Sequence, residues 1–233
     1  QKCFDCGQRF HGAVQAALGW ACWKTYVGRA ETDGYRCMAM GELACALYRS
    51  PGEALPVLEA ALALTRRYWS HDEQAILVAQ NNLAVCLDRV GRSEEALVLQ
   101  RKIFARTTDV FGKDSIQSLQ AGSNMAEVLR KNRRFAEAAT LSRERLSLAR
   151  SLQPRATLIT ANAQELVLVL SRVLAISLYE NPEASRDDLL ESVVVLENAL
   201  AEARRILGAA HPQTRQTEKI LEYIRRPSSR EFS

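Results

Sequence analysis

Cys3 and Cys6 stand in CxxC spacing within KCFDCGQRFHG and are the residues of this chain best placed to do chemistry. Two thiolates at that spacing can share one metal ion, but tetrahedral zinc takes four ligands, and the segment supplies two. The three histidines, His11, His71 and His211, are scattered along the chain, and His71 and His211 fall in connections where an exposed or capping role is ordinary. No HExxH or GxSxG arrangement is present, nor a phosphate-cradling glycine loop. The carboxylates gather at helix starts and on solvated faces. The expectation is a non-enzymatic chain with no cofactor in its main body.

The elements that must carry these residues read as helices. From Ile76, apolar residues Ala79, Leu83, Leu87 and Val90 recur every three or four positions, and Gly91 can close the helix in the left-handed region. A second stripe of Ala96, Leu99, Ile103 and Val110 follows, with Ser93 as the expected N-cap and Glu94 and Glu95 in the first turn. Neither helix can bury its stripe alone. Copies of the pair supply the neighbours: Met125-Ala126 stands 42 residues after Leu83-Ala84, Ala138 stands 42 after Ala96, and Ala54 stands 42 before it. Leu43 lies 40 before Leu83, which implies a first turn about two residues shorter. A period near forty with two helices per period marks an α-solenoid.

Along the chain, Ala13 to Arg29 reads as a capping helix carrying Trp20 and Trp23. Tyr35–Tyr48 and Pro51–Trp69 form the first hairpin, with capping-box spacing at Ser50/Glu53 and again at Ser70/Glu73. Pro56 predicts a kink or a late start. Asp114 or Ser115 opens the third unit, Phe135 begins its second helix, and Pro154 closes it. Leu166–Leu178, LVLVLSRVLAISL, is apolar on nearly every face. It reads as helix because no second strand exists to pair with it. Ser185 caps a helix from about Arg186 to Leu207, Gly208 stops it, and a short helix runs from Pro212 to about Arg226.

The chain has 233 residues, 47% of them hydrophobic, and 31 basic against 27 acidic residues give a mildly basic, mixed surface. That balance does not imply nucleic acid. Arginine pairs such as Arg133-Arg134 and Arg204-Arg205 sit near helix ends, where they complement the dipole. No run of about 18 apolar residues predicts a membrane span. Six cysteines show no disulfide framework, and Cys45 and Cys86 read as core-facing thiols, so a cytoplasmic location is expected. The start at Gln1 reads as a fragment of a longer protein.

The small residue early in each second helix, Ala54 in GEAL, Ala96 in EEAL and Ala138 in AEAA, lets two helices approach closely. With NNLAVCLDRVGRSEEAL, SNMAEVLRKNRRFAEAA and LGAAHPQT, the chain resembles the tetratricopeptide (TPR) family in its kinesin-light-chain form. HEAT or armadillo repeats are the alternative architecture. The resemblance implies an all-α fold, an α-solenoid of about four stacked helical hairpins wound as a right-handed superhelix over residues 31–226. A capping helix over 13–30 precedes it and a disordered tail over 227–233 follows. It also implies that first helices line a concave groove. Residues repeating along that groove, Arg49, Arg89 and Lys131, then Arg130, then Asn81 more weakly, would clamp an extended, acidic peptide or protein partner. CxxC followed by a short aromatic stretch is similar to the tail of RING-CH zinc domains. On that resemblance residues 1–12 are the remnant of a zinc site whose last two ligands are Cys3 and Cys6, while His11 matches no ligand position. The second functional reading follows from it: the substrate-recognition part of a ubiquitin ligase.

Overall fold

The computed structural model describes residues 12–152 and 159–225. Cys3, Cys6, His11, Pro154 and the tail lie outside them. Among the described residues there are helices, one 3₁₀ turn and no strand. In order they are α1 (Gly12–Tyr26), α2 (Gly34–Ala46) continued by the turn Leu47–Arg49, α3 (Pro51–Tyr68), α4 (Glu73–Arg89) and α5 (Ser93–Phe111). Then come α6 (Ile116–Lys131), α7 (Phe135–Leu152), α8 (Ile159–Glu180), α9 (Arg186–Leu207) and α10 (Pro212–Arg225). The chain divides into two units, 1–103 and 104–233, and the division falls within α5.

Local chemistry sets the helix starts. Asp33 accepts from the Tyr35 amide at 2.8 Å to open α2, and Ser115 accepts from the Ser118 amide at 3.1 Å to open α6. Ser185 and Asp188 close a reciprocal capping box at the head of α9. Three expected caps are not made. Ser50 has no side-chain cap bond, although its carbonyl accepts from the Glu53 and Ala54 amides. α4 is capped by Asp72, whose carboxylate accepts from the Ala75 amide at 2.9 Å, rather than by Ser70. Ser93 is the first helical residue of α5, and its hydroxyl pairs with the Asp88 carboxylate at 3.2 Å. Nor does Pro56 delay its helix, since α3 runs unbroken from Pro51. Its missing N–H forfeits one bond, to the carbonyl of solvent-exposed Gly52.

In the first unit, α1 lies so close to α2 that a Cβ at Gly19 would collide with the Ala46 methyl and come 3.3 Å from the Leu43 Cα. Leu43, Leu47, Ala54, Leu58 and Cys86 form the core between α2, α3 and α4, with Trp23 packed against it. The buried residues of α4 are Leu77, Ala84, Cys86 and Leu87, so the seam is offset from the stripe read in the sequence. Ile76, Ala79 and Leu83 are half-buried. The α5 seam includes polar Gln100 and Thr107 while Val110 is 39% exposed. Gln100 is tolerated there because its amide donates to the Asn81 carbonyl oxygen at 2.9 Å.

In the second unit α8 is the hub, packed against α6, α7, α9 and α10. A helix with neighbours on so many sides has no polar face to keep, which explains the run of Leu and Val in its sequence. Leu166, Val167, Leu170 and Leu174 are buried with Leu119 and Leu146 in one cluster. Ala175 joins Leu196, Leu200, Leu221 and Ile224 in a second. The small residues Ala96 and Ala138 are fully buried and Ala54 nearly so, as close hairpin packing requires.

Candidate functional site

Among the described residues, each unit carries a cavity lined by residues of the expected binding rows. In the first unit it is floored by Pro51, Ala54 and Leu58 of α3 and walled by Ala44 and Cys45 of α2 and by Val85 and Cys86 of α4. Asn82 and Arg89 supply its polar rim, and its volume is about 240 Å³. Cys86 donates to the Pro51 carbonyl at 3.2 Å, and burial pushes its thiol up, so it stays a neutral apolar wall. Cys45 is exposed, contrary to the core-facing expectation, because it lies on the same outer stripe of α2 as Met38 and Arg49.

That outer stripe repeats on α4. Met38 and Val78 are 67% and 55% exposed and 40 residues apart, and the same interval relates Cys45 to Val85 and Arg49 to Arg89. The two helices therefore offer the same order of side chains: apolar, apolar over the cavity, then a guanidinium. Asn81 does not point along this stripe; its amide holds Gln100 within the hairpin. Asn82, which is absent from the expected binding rows, is the residue at the cavity. Stepping back from Arg89 by four, seven and eleven residues gives Val85, Asn82 and Val78, so the helical period alone carries that signal.

Arg130 and Lys131 belong to the second unit. They share a cavity of about 460 Å³ with Arg133, Phe135, Tyr179, Glu180 and Tyr223. Arg130 grips Glu127 through two bonds, at 3.0 and 2.9 Å, and donates to Glu180 at 3.0 Å, tying α6 to α8. The Glu127 carboxylate in particular holds the guanidinium in its charged form. Tyr179 and Tyr223 meet edge to face, with ring centroids 5.4 Å apart. Deeper in this unit Arg172 is 7% exposed and donates to the Gln213 side-chain oxygen at 2.7 Å. Burial pushes its pKa down.

No cluster of three or more His, Cys, Asp or Glu that could hold a metal ion occurs among the described residues. His71 is exposed between α3 and α4, and His211 accepts from the Gln213 amide at 3.3 Å at the head of α10. No helix among the described residues is long and apolar enough to cross a membrane.

Comparison with known proteins agrees with this architecture. No curated protein matches the sequence. A crystal structure of nearly identical kinesin-light-chain TPR-like repeats from Podosopora anserina is 20% identical, with a TM-score of 0.62 over 84% of this chain and 87% of that one. BtubC (BKLC) from P. vanneervenii is 18% identical, with a TM-score of 0.69 over 92% of this chain and 84% of that one. Residues 75–151 match the tetratricopeptide repeat family model. Those residues thus resemble tetratricopeptide repeats in sequence, and the described helices share the fold of TPR-like helical hairpins.

Proposed function

We propose that this chain is a non-enzymatic protein-interaction scaffold that holds a short extended peptide across α2 and α4. An apolar side chain of the peptide enters the cavity, and a neighbouring carboxylate meets Arg49 and Arg89. The observation that carries this reading is the pairing of an apolar cavity with a guanidinium at its rim, on a face where two successive repeats present matching side chains. Likeness to TPR-like repeats supports it.

Each half of the site contributes energy of a familiar size. Burying one aliphatic side chain is worth about 1.5–3 kcal/mol. A charge-assisted hydrogen bond to a guanidinium is worth about 1.5–3 kcal/mol. Ordering the peptide opposes both, so modest affinity is expected.

Fluorescence anisotropy with peptide pools that pair an aliphatic residue with an aspartate or glutamate tests the assignment. Arg89→Glu should weaken binding about tenfold or more, in line with loss of one charge-assisted bond. Bound peptide should also slow alkylation of Cys45, whose thiol lines the cavity. Undiminished binding by Arg89→Glu, together with unchanged Cys45 alkylation, would remove the assignment.

A further inference from the structure

α2 and α4 present matching side chains along the peptide face, but they differ in one chemical respect. Val78 and Val85 of α4 are inert hydrocarbon, whereas the α2 positions 40 residues earlier hold two sulfur residues, Met38 and Cys45. These two stand seven residues apart, two helical turns along one side of α2, with Glu42 between them. Met38 is 67% exposed, while the other two methionines, Met40 and Met125, are each 6% exposed within the core.

The two sulfurs are not equally ready to react with a peroxide. A cysteine attacks as its thiolate, and Cys45 keeps its proton. Although the residue is exposed, its side chain lines the cavity wall, and that partial burial together with the Glu42 carboxylate pushes the thiol pKa up. A thioether has no proton to lose, so access governs its oxidation. Met38 has that access, and it lies on the stripe that the peptide must cover.

We infer that Met38 is an oxidation-sensitive gate on the face of α2 and α4, an inference that rests on the peptide-binding reading of that face. Hydrogen peroxide transfers one oxygen atom to the thioether. The S–O bond forms as the O–O bond breaks, the sulfur gives up two electrons, and the peroxide leaves as water. The product is a polar sulfoxide in a row where Val78 and Val85 offer only apolar contact. A peptide that covers Met38 must then strip water from the sulfoxide oxygen without giving it a donor, so binding weakens. No charge changes at Arg49 or Arg89, and the loss is graded rather than complete. A thiol-dependent sulfoxide reductase reverses the step, the oxygen leaving as water while two thiols join in a disulfide.

The test exposes the full chain to limiting hydrogen peroxide and follows each methionine by mass spectrometry. Met38 should oxidise about tenfold faster than Met40 or Met125, and a saturating pool of aliphatic and acidic peptides should slow it. By fluorescence anisotropy, affinity for that pool should fall about fivefold after oxidation. Met38→Gln, polar from the outset, should show a loss of that size without peroxide. Met38→Leu offers no sulfur, and whatever its starting affinity, peroxide should leave that affinity where it began. The position is exposed, so both variants should melt as the wild type does. Binding by unoxidised wild type that survives oxidation of Met38 would overturn this proposal alone, as would Met38 reacting no faster than the buried methionines. Peroxide sensitivity that persists in Met38→Leu would move the effect to another residue and overturn the gate. No binding by the unoxidised protein would remove the peptide face itself, and this proposal with it.

Discussion

At Gly19 and at the hairpin seams, single atoms decide how closely helices approach. The Gly19 Cα faces Leu43 and Ala46 with no room for a methyl group, so Gly19→Ala sets two effects against each other. Helix propensity favours alanine by about 1 kcal/mol. Overpacking against backbone costs about 1–3 kcal/mol, because α1 must shift bodily. The expected result is net destabilisation, read as a lower urea midpoint. The seams differ in another way. Asn81 and Gln100 bond to each other across the second hairpin, and the positions 42 residues later hold Ser123 and Ser142. Both serine hydroxyls are buried without a hydrogen-bond partner. Ser142→Ala removes one such hydroxyl with little change in volume and should stabilise the protein by about 1 kcal/mol, measurable by the same denaturation experiment.

Among the elements, α9 shows how a helix start couples to pH. The Ser185 hydroxyl and amide both donate to the Asp188 carboxylate, and these bonds hold its pKa below the ordinary carboxylate value. A depressed folded-state pKa gives a contribution that is fully present above the unfolded value, near pH 4, and is lost as acid carries the pH down through the folded value. Melting temperature should therefore fall more steeply between pH 5 and pH 2 in the wild type than in Asp188→Asn. This cap was legible in the sequence because Ser185 stands just before Asp187 and Asp188 in a first turn, and Ser115 was one of two expected starts of α6, with Ile116 directly after it. Ser50, Ser70 and Ser93 had the right type and spacing but do not cap. Asp72 lies nearer the true start of α4, and Ser93 is already inside its helix. Cap identity turns on where the backbone leaves the extended region, which residue type alone does not fix. The cavity of the first unit was hidden for a related reason. Arg49 and Arg89 follow from the repeat, but its floor is made by whichever α3 residues pack beneath, and that is a tertiary fact.

For the molecule as a whole, the repeat set the helix count and order, since a period near forty survives loss of detail in any one copy. The stripes were less legible because Gln100 and Thr107 sit in a seam where an apolar residue was expected, and only the Asn81 partner explains the glutamine. In the second unit stability should be graded around α8, whose Leu170, Leu174 and Ala175 are almost wholly buried. Native-state hydrogen exchange should find the α8 amides slowest there. In the first unit α1 should exchange fastest, since over residues 13–26 only Gly19 is buried and Val14 and Trp20 are 53% and 43% exposed.

A chain of similar hairpins faces a hazard during folding, because a helix can dock on the partner of another copy. The unlike polar pairs act against that error. Were α4 to settle on α7, Asn81 would meet the short Ser142 in place of Gln100, and an amide that needs a long partner would be left wanting at a cost of about 1–3 kcal/mol. Gln100→Ser would erase the difference between the two seams, and refolding yield should drop more than equilibrium stability alone predicts. A buried glutamine and its half-buried asparagine partner thereby help each helix recognise its own mate.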